Sequence, residues 1–132
     1  MKVGYKELLA EANAAIEAVP PAKAAVLHAD PDVVFVDIRD VRELERDGMI
    51  PGAFHAPRGM LEFWVDPECP YHKPVFASGK RFVLYCASGW RSALATQQLQ
   101  RMGLAPVSHL EGGFTAWRNA GLPMAPHQKP KA

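Results

Sequence analysis

The residue of this sequence most suited to chemistry is Cys86, which stands where a strand passes into a helix. The apolar, β-favouring run 81–85 precedes it, and the helix-forming residues 92–99 follow a short loop. Such a loop directs several backbone N–H groups to one point, and the free N–H groups of a helix start add to them. Because this arrangement attracts an anion, it favours the thiolate form of Cys86, which is the nucleophilic form of a cysteine.

Arg91 strengthens the prediction of a reactive cysteine, because its permanent positive charge and planar donor groups suit an oxyanion such as a sulfonate or a phosphate. Gly89 allows the backbone to turn tightly or to approach a ligand closely. A cysteine at the end of a buried strand is often inert, but these neighbours before a helix favour reactivity. We therefore predict that Cys86 and Arg91 are catalytic. The predicted substrate-binding residues between them are Ala87, Ser88, Gly89 and Trp90.

Residues 86–92 resemble the active-site loop of the rhodanese (sulfurtransferase) family, whose single-domain members carry a Cys-x-x-Gly-x-Arg-Ser pattern between a strand and a helix. Three further stretches are similar to family segments in the same order: 36–39 to Asp-x-Arg, 48–55 to Ile-Pro-Gly-Ala, and 110–117 to Gly-Gly-x-x-x-Trp. The resemblance covers most of the chain. It implies an α/β protein with the rhodanese-like three-layer fold, in which a parallel sheet of about five strands carries helices on both faces.

The resemblance also implies roles for residues outside the loop. Asp37, at the end of a predicted strand, would support the cysteine loop from beneath, and Arg39 and Ser92 are further supporting residues. Functional residues gather at the carboxyl ends of parallel strands, which is where Asp37 and Arg39 fall. By analogy with related folds, the connection after the next strand lies near the mouth of the site. Arg58 on that connection is therefore predicted as a second contact for an anionic substrate, and Trp64 as a wall of the pocket.

Hydrophobic spacing and turn residues predict the elements that position these side chains. An amphipathic helix over 5–16, ended by Pro20 and Pro21, and a short helix over 21–27 form an N-terminal extension of residues 1–30. After it, predicted strands alternate with helices, and this alternation favours a parallel sheet covered on both faces. A helix capped by Asp40 carries charged residues that are interpreted as a solvated face: Arg42, Glu43, Glu45 and Arg46. The polar, proline-bearing tail, residues 124–132, is predicted to be loose.

Length and composition limit the classes of function. The 132 residues are predicted to form a single domain, 1–132, because the chain can bury a core but has no room for a second one. A hydrophobic content of 48% and a charged content of 22% indicate a globular protein, and a net charge of +1 gives no reason to expect a nucleic acid or membrane partner. No apolar run approaches the ~20 residues of a membrane span, and the start lacks a signal-peptide pattern, so we expect a cytoplasmic protein.

The remaining cysteine and the histidines are given no catalytic role. Cys69 and Cys86 form no Cys-x-x-Cys motif, and the histidines at 28, 55, 72, 109 and 127 show no metal-ligand spacing, so neither a metal nor another cofactor is expected. His55 and His109 are interpreted as structural residues at strand ends. Cys69 is interpreted as a loop thiol, and the alternative hypothesis is that it resolves a persulfide or sulfenate on Cys86.

Sulfur transfer is the reaction that these residues favour. The Cys86 thiolate would attack the outer sulfur of a small anionic donor, thiosulfate or a persulfide, and then pass that sulfur to cyanide, a thiol or a thioredoxin-like acceptor. One alternative is rhodanese-fold phosphatase or arsenate-reductase chemistry, whose pattern has five residues between cysteine and arginine, where this chain has four. Another is a non-catalytic module for sulfur sensing or partner binding. The retained cysteine and arginine argue against that module.

Overall fold

A five-stranded parallel sheet forms the centre of the computed structural model, which describes residues 1–127. Its spatial order is β1-β5-β4-β2-β3, and every neighbouring pair is parallel. The carboxyl ends of all five strands therefore lie at one edge. The strands are β1 Ala18–Val19, β2 Val33–Asp37, β3 Phe54–His55, β4 Arg81–Tyr85 and β5 Val107–Leu110.

Helices cover both faces of this sheet. They are α1 Tyr5–Ala15, α2 Pro21–His28, α3 Val41–Asp47, α4 Leu61–Val65, α5 Trp90–Met102 and α6 Gly113–Asn119, with 3-10 turns at Arg58–Met60 and Pro74–Ala77. The central strand β4 is buried on both sides: Phe82 and Leu84 join the core beneath α4 and α5, whereas Val83 and Tyr85 join the core beneath α2 and α6. The predicted three-layer α/β fold is confirmed, and the continuous apolar runs of its strands follow from this double burial.

The N-terminal region differs from its prediction in one respect. The first helix ends at Ala15, well before Pro20, and the chain then forms the two-residue edge strand β1. Ala18 and Val19 lie opposite His109 and Leu110 of β5. Val19 is buried in the core, but a strand of two residues is too short to show a periodic pattern in the sequence.

Helix α3 begins after Asp40, as predicted. The Asp40 carboxylate accepts a hydrogen bond from the Arg42 backbone N–H at 2.9 Å, and the Glu43 carboxylate accepts one from the Asp40 N–H at 3.0 Å. This capping box fixes the first turn of the helix. Gly48 ends the helix with a positive φ of 81°, where a Cβ would lie 2.8 Å from the carbonyl oxygen of Ala125.

The C-terminal segment is anchored at one point. Ala125 exchanges two backbone hydrogen bonds with Met49, at 2.8 and 2.9 Å. The tail is predicted to be loose, but its residues 124–127 therefore include one, Ala125, that is hydrogen-bonded to Met49. The remainder of that tail, residues 128–132, lies outside the described residues.

Candidate active site

The loop after β4 surrounds the sulfur of Cys86 with hydrogen-bond donors. The backbone N–H groups of Gly89 and Ser92 donate to Cys86 Sγ at 3.2 and 3.4 Å, and the thiol itself donates to the Ser92 hydroxyl at 3.6 Å. The cysteine is 1% exposed. Because hydrogen bonds to a charged group are stronger than those to a neutral one, this arrangement stabilises a negative sulfur, either a thiolate or a persulfide.

The start of α6 holds this loop from behind. The backbone N–H of Phe114 donates to the Cys86 carbonyl at 2.8 Å, and that of Thr115 donates to the Ala87 carbonyl at 3.1 Å. The close approach of α6 to the loop requires glycine at position 113, where φ is +62° and a Cβ would lie 2.6 Å from the carbonyl oxygens of both Cys86 and Ala87. The Gly-Gly segment and the cysteine loop, which the sequence places far apart, therefore form one structural unit.

Arg91 closes the loop and forms a two-point ion pair with Glu43. Its two terminal nitrogens lie 2.8 and 2.9 Å from the two carboxylate oxygens. The hydrogen bond to Glu43 raises the pKa of Arg91 against the opposing effect of burial, and the charges of Glu43 and Cys86 raise it further. The same hydrogen bond lowers the pKa of Glu43. The guanidinium is thus a fixed cation beside the nucleophile.

The interpretation of Glu43 as part of a solvated face is wrong. Its side chain is 19% exposed and binds a residue 48 positions away. The capping box places Glu43 in the first turn of α3, directly after β2, and β2 lies beside β4 in the sheet. The pattern Asp-x-x-Glu at 40–43 is typical of a helix start, but the contact of Glu43 with Arg91 depends on the strand order.

Asp37 and Arg39 form a buried ion pair behind the loop, with exposures of 0% and 1%. Arg39 donates from Nε to Asp37 Oδ1 at 3.0 Å and from Nη2 to Oδ2 at 2.7 Å. Burial lowers the pKa of Arg39, but its bonds with Asp37 outweigh this effect and raise it overall. The guanidinium lies 4.4 Å from the centre of the Phe114 ring, whose backbone N–H holds the loop. The ion pair therefore contacts the loop only indirectly, through Phe114. The supporting role of Asp37 and Arg39 stays a prediction.

Other predicted residues lie outside the immediate surroundings of the sulfur. Arg58 forms an ion pair with Glu62 at 2.8 Å, so its role as a second anion contact stays a prediction. Trp64 packs against Phe54, with ring centres 6.2 Å apart. Cys69 is partly exposed, and its sulfur accepts a hydrogen bond from the Tyr71 N–H at 3.5 Å.

Trp90 and His109 flank the loop on the side of α1. Trp90 is 58% exposed, and its ring centre lies 5.3 Å from that of Tyr5. His109 is buried, and its Nδ1 lies 2.9 Å from the Ser92 hydroxyl. The sequence interpretation of His109 as a structural residue missed this contact, because it depends on β5 lying beside β4.

Within residues 1–127, no group of three histidine, cysteine, aspartate or glutamate side chains is placed to hold a metal ion. In the same residues, no helix combines the length and the apolar character needed to cross a membrane.

Replacing Glu43 by glutamine tests how far this carboxylate restrains Arg91. The amide keeps one hydrogen bond but removes the negative charge, so the KM for an anionic donor such as thiosulfate is expected to fall roughly threefold to tenfold. The pKa of Glu43 is lowered, so the ion pair is intact at neutral pH and is lost as the pH falls through that lowered value. Steady-state kinetics measure the effect.

Asp47→Asn is the matched control for the glutamine variant. It removes the same charge from the same helix, but its partner is the exposed Arg46. An unchanged or raised KM in Glu43→Gln, relative to this control, would contradict the restraint on Arg91.

Comparison with known families agrees with this geometry. The family described as "Rhodanese-like domain" matches residues 20–120, which include the cysteine loop, the buried ion pair and the Gly-Gly segment. The chain belongs to the rhodanese-like family. The recognition made from the four sequence motifs is thereby confirmed.

Among similar proteins, a structure from Rhodopseudomonas palustris is 57% identical, with a TM-score of 0.92 and coverage of 95% of this chain and 96% of that one. It is described as a protein of unknown function and a possible tyrosine phosphatase. YtwF of Bacillus subtilis, provisionally named a sulfurtransferase, is 30% identical over 97 residues, 74% of this chain and 84% of that protein. The uncharacterised Synechocystis protein slr1261 is 37% identical over 105 residues. That match covers 80% of this chain but only 54% of the relative.

Proposed function

We propose that this rhodanese-like protein is a sulfurtransferase that carries sulfur as a persulfide on Cys86. The observation that supports it most strongly is the convergence of the Gly89 and Ser92 backbone N–H groups on Cys86 Sγ itself, at 3.2 and 3.4 Å. Donors aimed at the sulfur stabilise an anion that stays on the enzyme. Transfer of sulfur through a bound persulfide needs such stabilisation.

The first half of the reaction loads the sulfur. The Cys86 thiolate attacks the outer sulfur of thiosulfate, a new S–S bond forms, and sulfite leaves with the electron pair of the broken bond. Arg91 orients the sulfonate oxygens of the donor with its planar charge. A persulfide donor reacts in the same way, with a thiolate as the leaving group. No oxidant and no cofactor enter this step.

The second half of the reaction transfers the sulfur from Cys86 to the acceptor. Cyanide or the thiolate of an acceptor attacks the terminal sulfur, and the Cys86 thiolate leaves, so the product is thiocyanate or a new persulfide. The loop residues Ala87, Ser88, Gly89 and Trp90 border the incoming molecule. A thiol compound or a thioredoxin-like protein in the cytoplasm is the acceptor that we propose.

Phosphatase chemistry is the second candidate, because the 57% identical Rhodopseudomonas palustris structure is described as a possible tyrosine phosphatase. A phosphoryl group needs several loop N–H groups around its oxygens, beyond the sulfur. Here only four residues separate Cys86 from Arg91, and two of the loop N–H groups point at the sulfur. This geometry favours the transfer of a single sulfur atom over that of a tetrahedral phosphate.

The two candidates are separated by parallel assays. Thiocyanate release from thiosulfate and cyanide, repeated with glutathione persulfide as donor, measures sulfur transfer, and hydrolysis of p-nitrophenyl phosphate measures phosphatase activity. We expect turnover in the sulfur assays and none with the phosphate ester. Hydrolysis of the ester without sulfur transfer would establish the phosphatase instead, and inactivity in every assay would favour a non-catalytic module.

A further inference from the structure

A chain of two hydrogen bonds links the Cys86 sulfur to a buried histidine that the proposed reaction does not use. Ser92 Oγ lies 3.6 Å from Cys86 Sγ and 2.9 Å from Nδ1 of His109. His109 is 3% exposed and belongs to β5, the neighbour of β4 in the sheet. The hydroxyl of Ser92 thus has the sulfur on one side and the imidazole on the other.

The second nitrogen of the imidazole is unpaired. His109 Nε2 is buried and has no hydrogen-bond partner among residues 1–127. His109 also lines a cleft of about 380 Å³ on the α1 side of the loop, together with Asn13, Ser88, Trp90 and Glu111. An unpaired buried nitrogen is costly unless water or a proton carrier reaches it. The cleft beside it is the space from which water reaches Nε2 on local opening, because the atom itself is closed off from solvent in this structure.

We propose that His109 is a positioning residue that acts through Ser92, turning the serine hydroxyl toward Cys86 and stabilising its thiolate. The inference rests on the proposed function in one respect, namely that Cys86 is the nucleophile. A hydroxyl donates only one hydrogen, so its direction depends on what the imidazole offers. When Nδ1 carries a hydrogen and donates to Ser92, the hydroxyl is free to donate to the sulfur.

The protons balance in this scheme. In the thiol state the S–H donates to Ser92 Oγ, the hydroxyl donates to the unprotonated Nδ1 of His109, and Nε2 carries the imidazole hydrogen. On ionisation the sulfur proton passes to Oγ, the hydroxyl proton passes to Nδ1, and the Nε2 proton leaves to water in the cleft. The imidazole is neutral before and after the transfer, and one proton is released.

The charged groups around the Cys86–Ser92–His109 hydrogen bonds are consistent with a neutral imidazole. Burial lowers the pKa of His109, and the nearby Glu111 opposes this only in part. On the other side Arg91, itself paired with Glu43, faces Cys86 and favours its negative form. Within residues 1–127, the charged groups placed around the Cys86–Ser92–His109 hydrogen bonds include Arg91 and Glu111. A protonated imidazole could not accept the hydroxyl proton, so neutrality is required for the exchange.

Two substitutions of His109 distinguish a hydrogen-bonding role from a packing role. His109→Leu keeps much of the side-chain volume but removes the donor, whereas His109→Asn loses volume but places an amide donor near the position of Nδ1. The readout is the rate of Cys86 alkylation by iodoacetamide across pH, in a Cys69→Ser background. On the rising limb of that profile we expect about a tenfold loss of rate in the leucine variant, because a hydrogen bond to a charged group is removed. The asparagine variant should react nearly as the parent does.

The opposite order, with the leucine variant unaffected and the asparagine variant impaired, would overturn the proposal. A double substitution adds a second criterion. If His109 acts through Ser92, then His109→Leu should cause no further loss of rate in a Ser92→Ala background. Additive losses would overturn the path through Ser92.

A spectroscopic measurement on the unsubstituted histidine keeps the proposal testable if the leucine variant does not fold. The ¹⁵N chemical shifts of the imidazole report which nitrogen carries the hydrogen. We expect a change from Nε2–H to Nδ1–H over the pH range in which Cys86 ionises, and a single tautomer throughout would contradict the scheme. Neither readout uses a sulfur donor. Failure of the persulfide assay with these results intact would therefore reject the sulfurtransferase proposal and leave the role of His109 standing.

Discussion

Cys86→Ser is expected to abolish sulfur transfer and to leave the fold intact. The serine hydroxyl is not ionised at neutral pH and forms no persulfide, so turnover of thiosulfate should fall at least about a thousandfold. The smaller oxygen atom can accept hydrogen bonds from the N–H groups that now surround the sulfur, so the loop needs little rearrangement. Thiocyanate release measures the activity, and thermal unfolding checks the fold.

Cys69→Ser is the matched control, since it removes the other thiol from the partly exposed loop 66–72. It should retain parental turnover, in keeping with the interpretation of Cys69 as a loop thiol. Activity that survives in Cys86→Ser would place the nucleophile elsewhere. A loss of turnover in Cys69→Ser would instead favour the hypothesis that this cysteine resolves the Cys86 persulfide.

Asp37→Asn is expected to cause a large loss of stability. It leaves the Arg39 guanidinium, which is 1% exposed, without its charge partner. Removing one member of a buried ion pair strands the other charge in the interior, and the free energy of unfolding should fall by about 3–5 kcal/mol. Unfolding by urea, followed by circular dichroism, measures this change. Turnover should fall as well, because Arg39 packs on Phe114, which holds the carbonyl of Cys86.

Asp47→Asn serves as the stability control as well, because it breaks an exposed pair with Arg46. Exposed ion pairs contribute little to stability, so this variant should unfold almost as the parent does. If Asp37→Asn lowers the free energy of unfolding no more than Asp47→Asn does, then the Gly48 carbonyl and the Phe114 ring stabilise the Arg39 guanidinium without the carboxylate. The supporting role assigned to Asp37 would then be wrong.

Strands β2 and β4 and the cysteine loop could be predicted from sequence because their signals are local. The run 33–37 is apolar because β2 is covered on both faces, and the same holds for β4. Gly89 and Gly113 occupy left-handed backbone positions that a sequence marks directly. These features depend on neighbours in the chain or on backbone conformation, so their residue types reveal them.

The contacts that complete the site depend on strand order, which local patterns do not contain. Glu43 meets Arg91 because β2 lies beside β4, and His109 meets Ser92 because β5 lies on the other side of β4. Charge alone gave Glu43 the appearance of a surface residue. The spacing of Asp37 and Arg39 is likewise compatible with an exposed pair, and its burial depends on distant residues such as Phe114 of α6 and Tyr85 of β4.

The persulfide on Cys86 is the central claim, and intact-protein mass spectrometry tests it most directly. The protein is first reduced, then incubated with thiosulfate or with glutathione persulfide, and compared with Cys86→Ser treated in the same way. We predict that the parent gains the mass of one sulfur atom, that cyanide removes it, and that the serine variant gains nothing. A parent protein that gains no sulfur from either donor, or a serine variant that gains as much, would contradict the account.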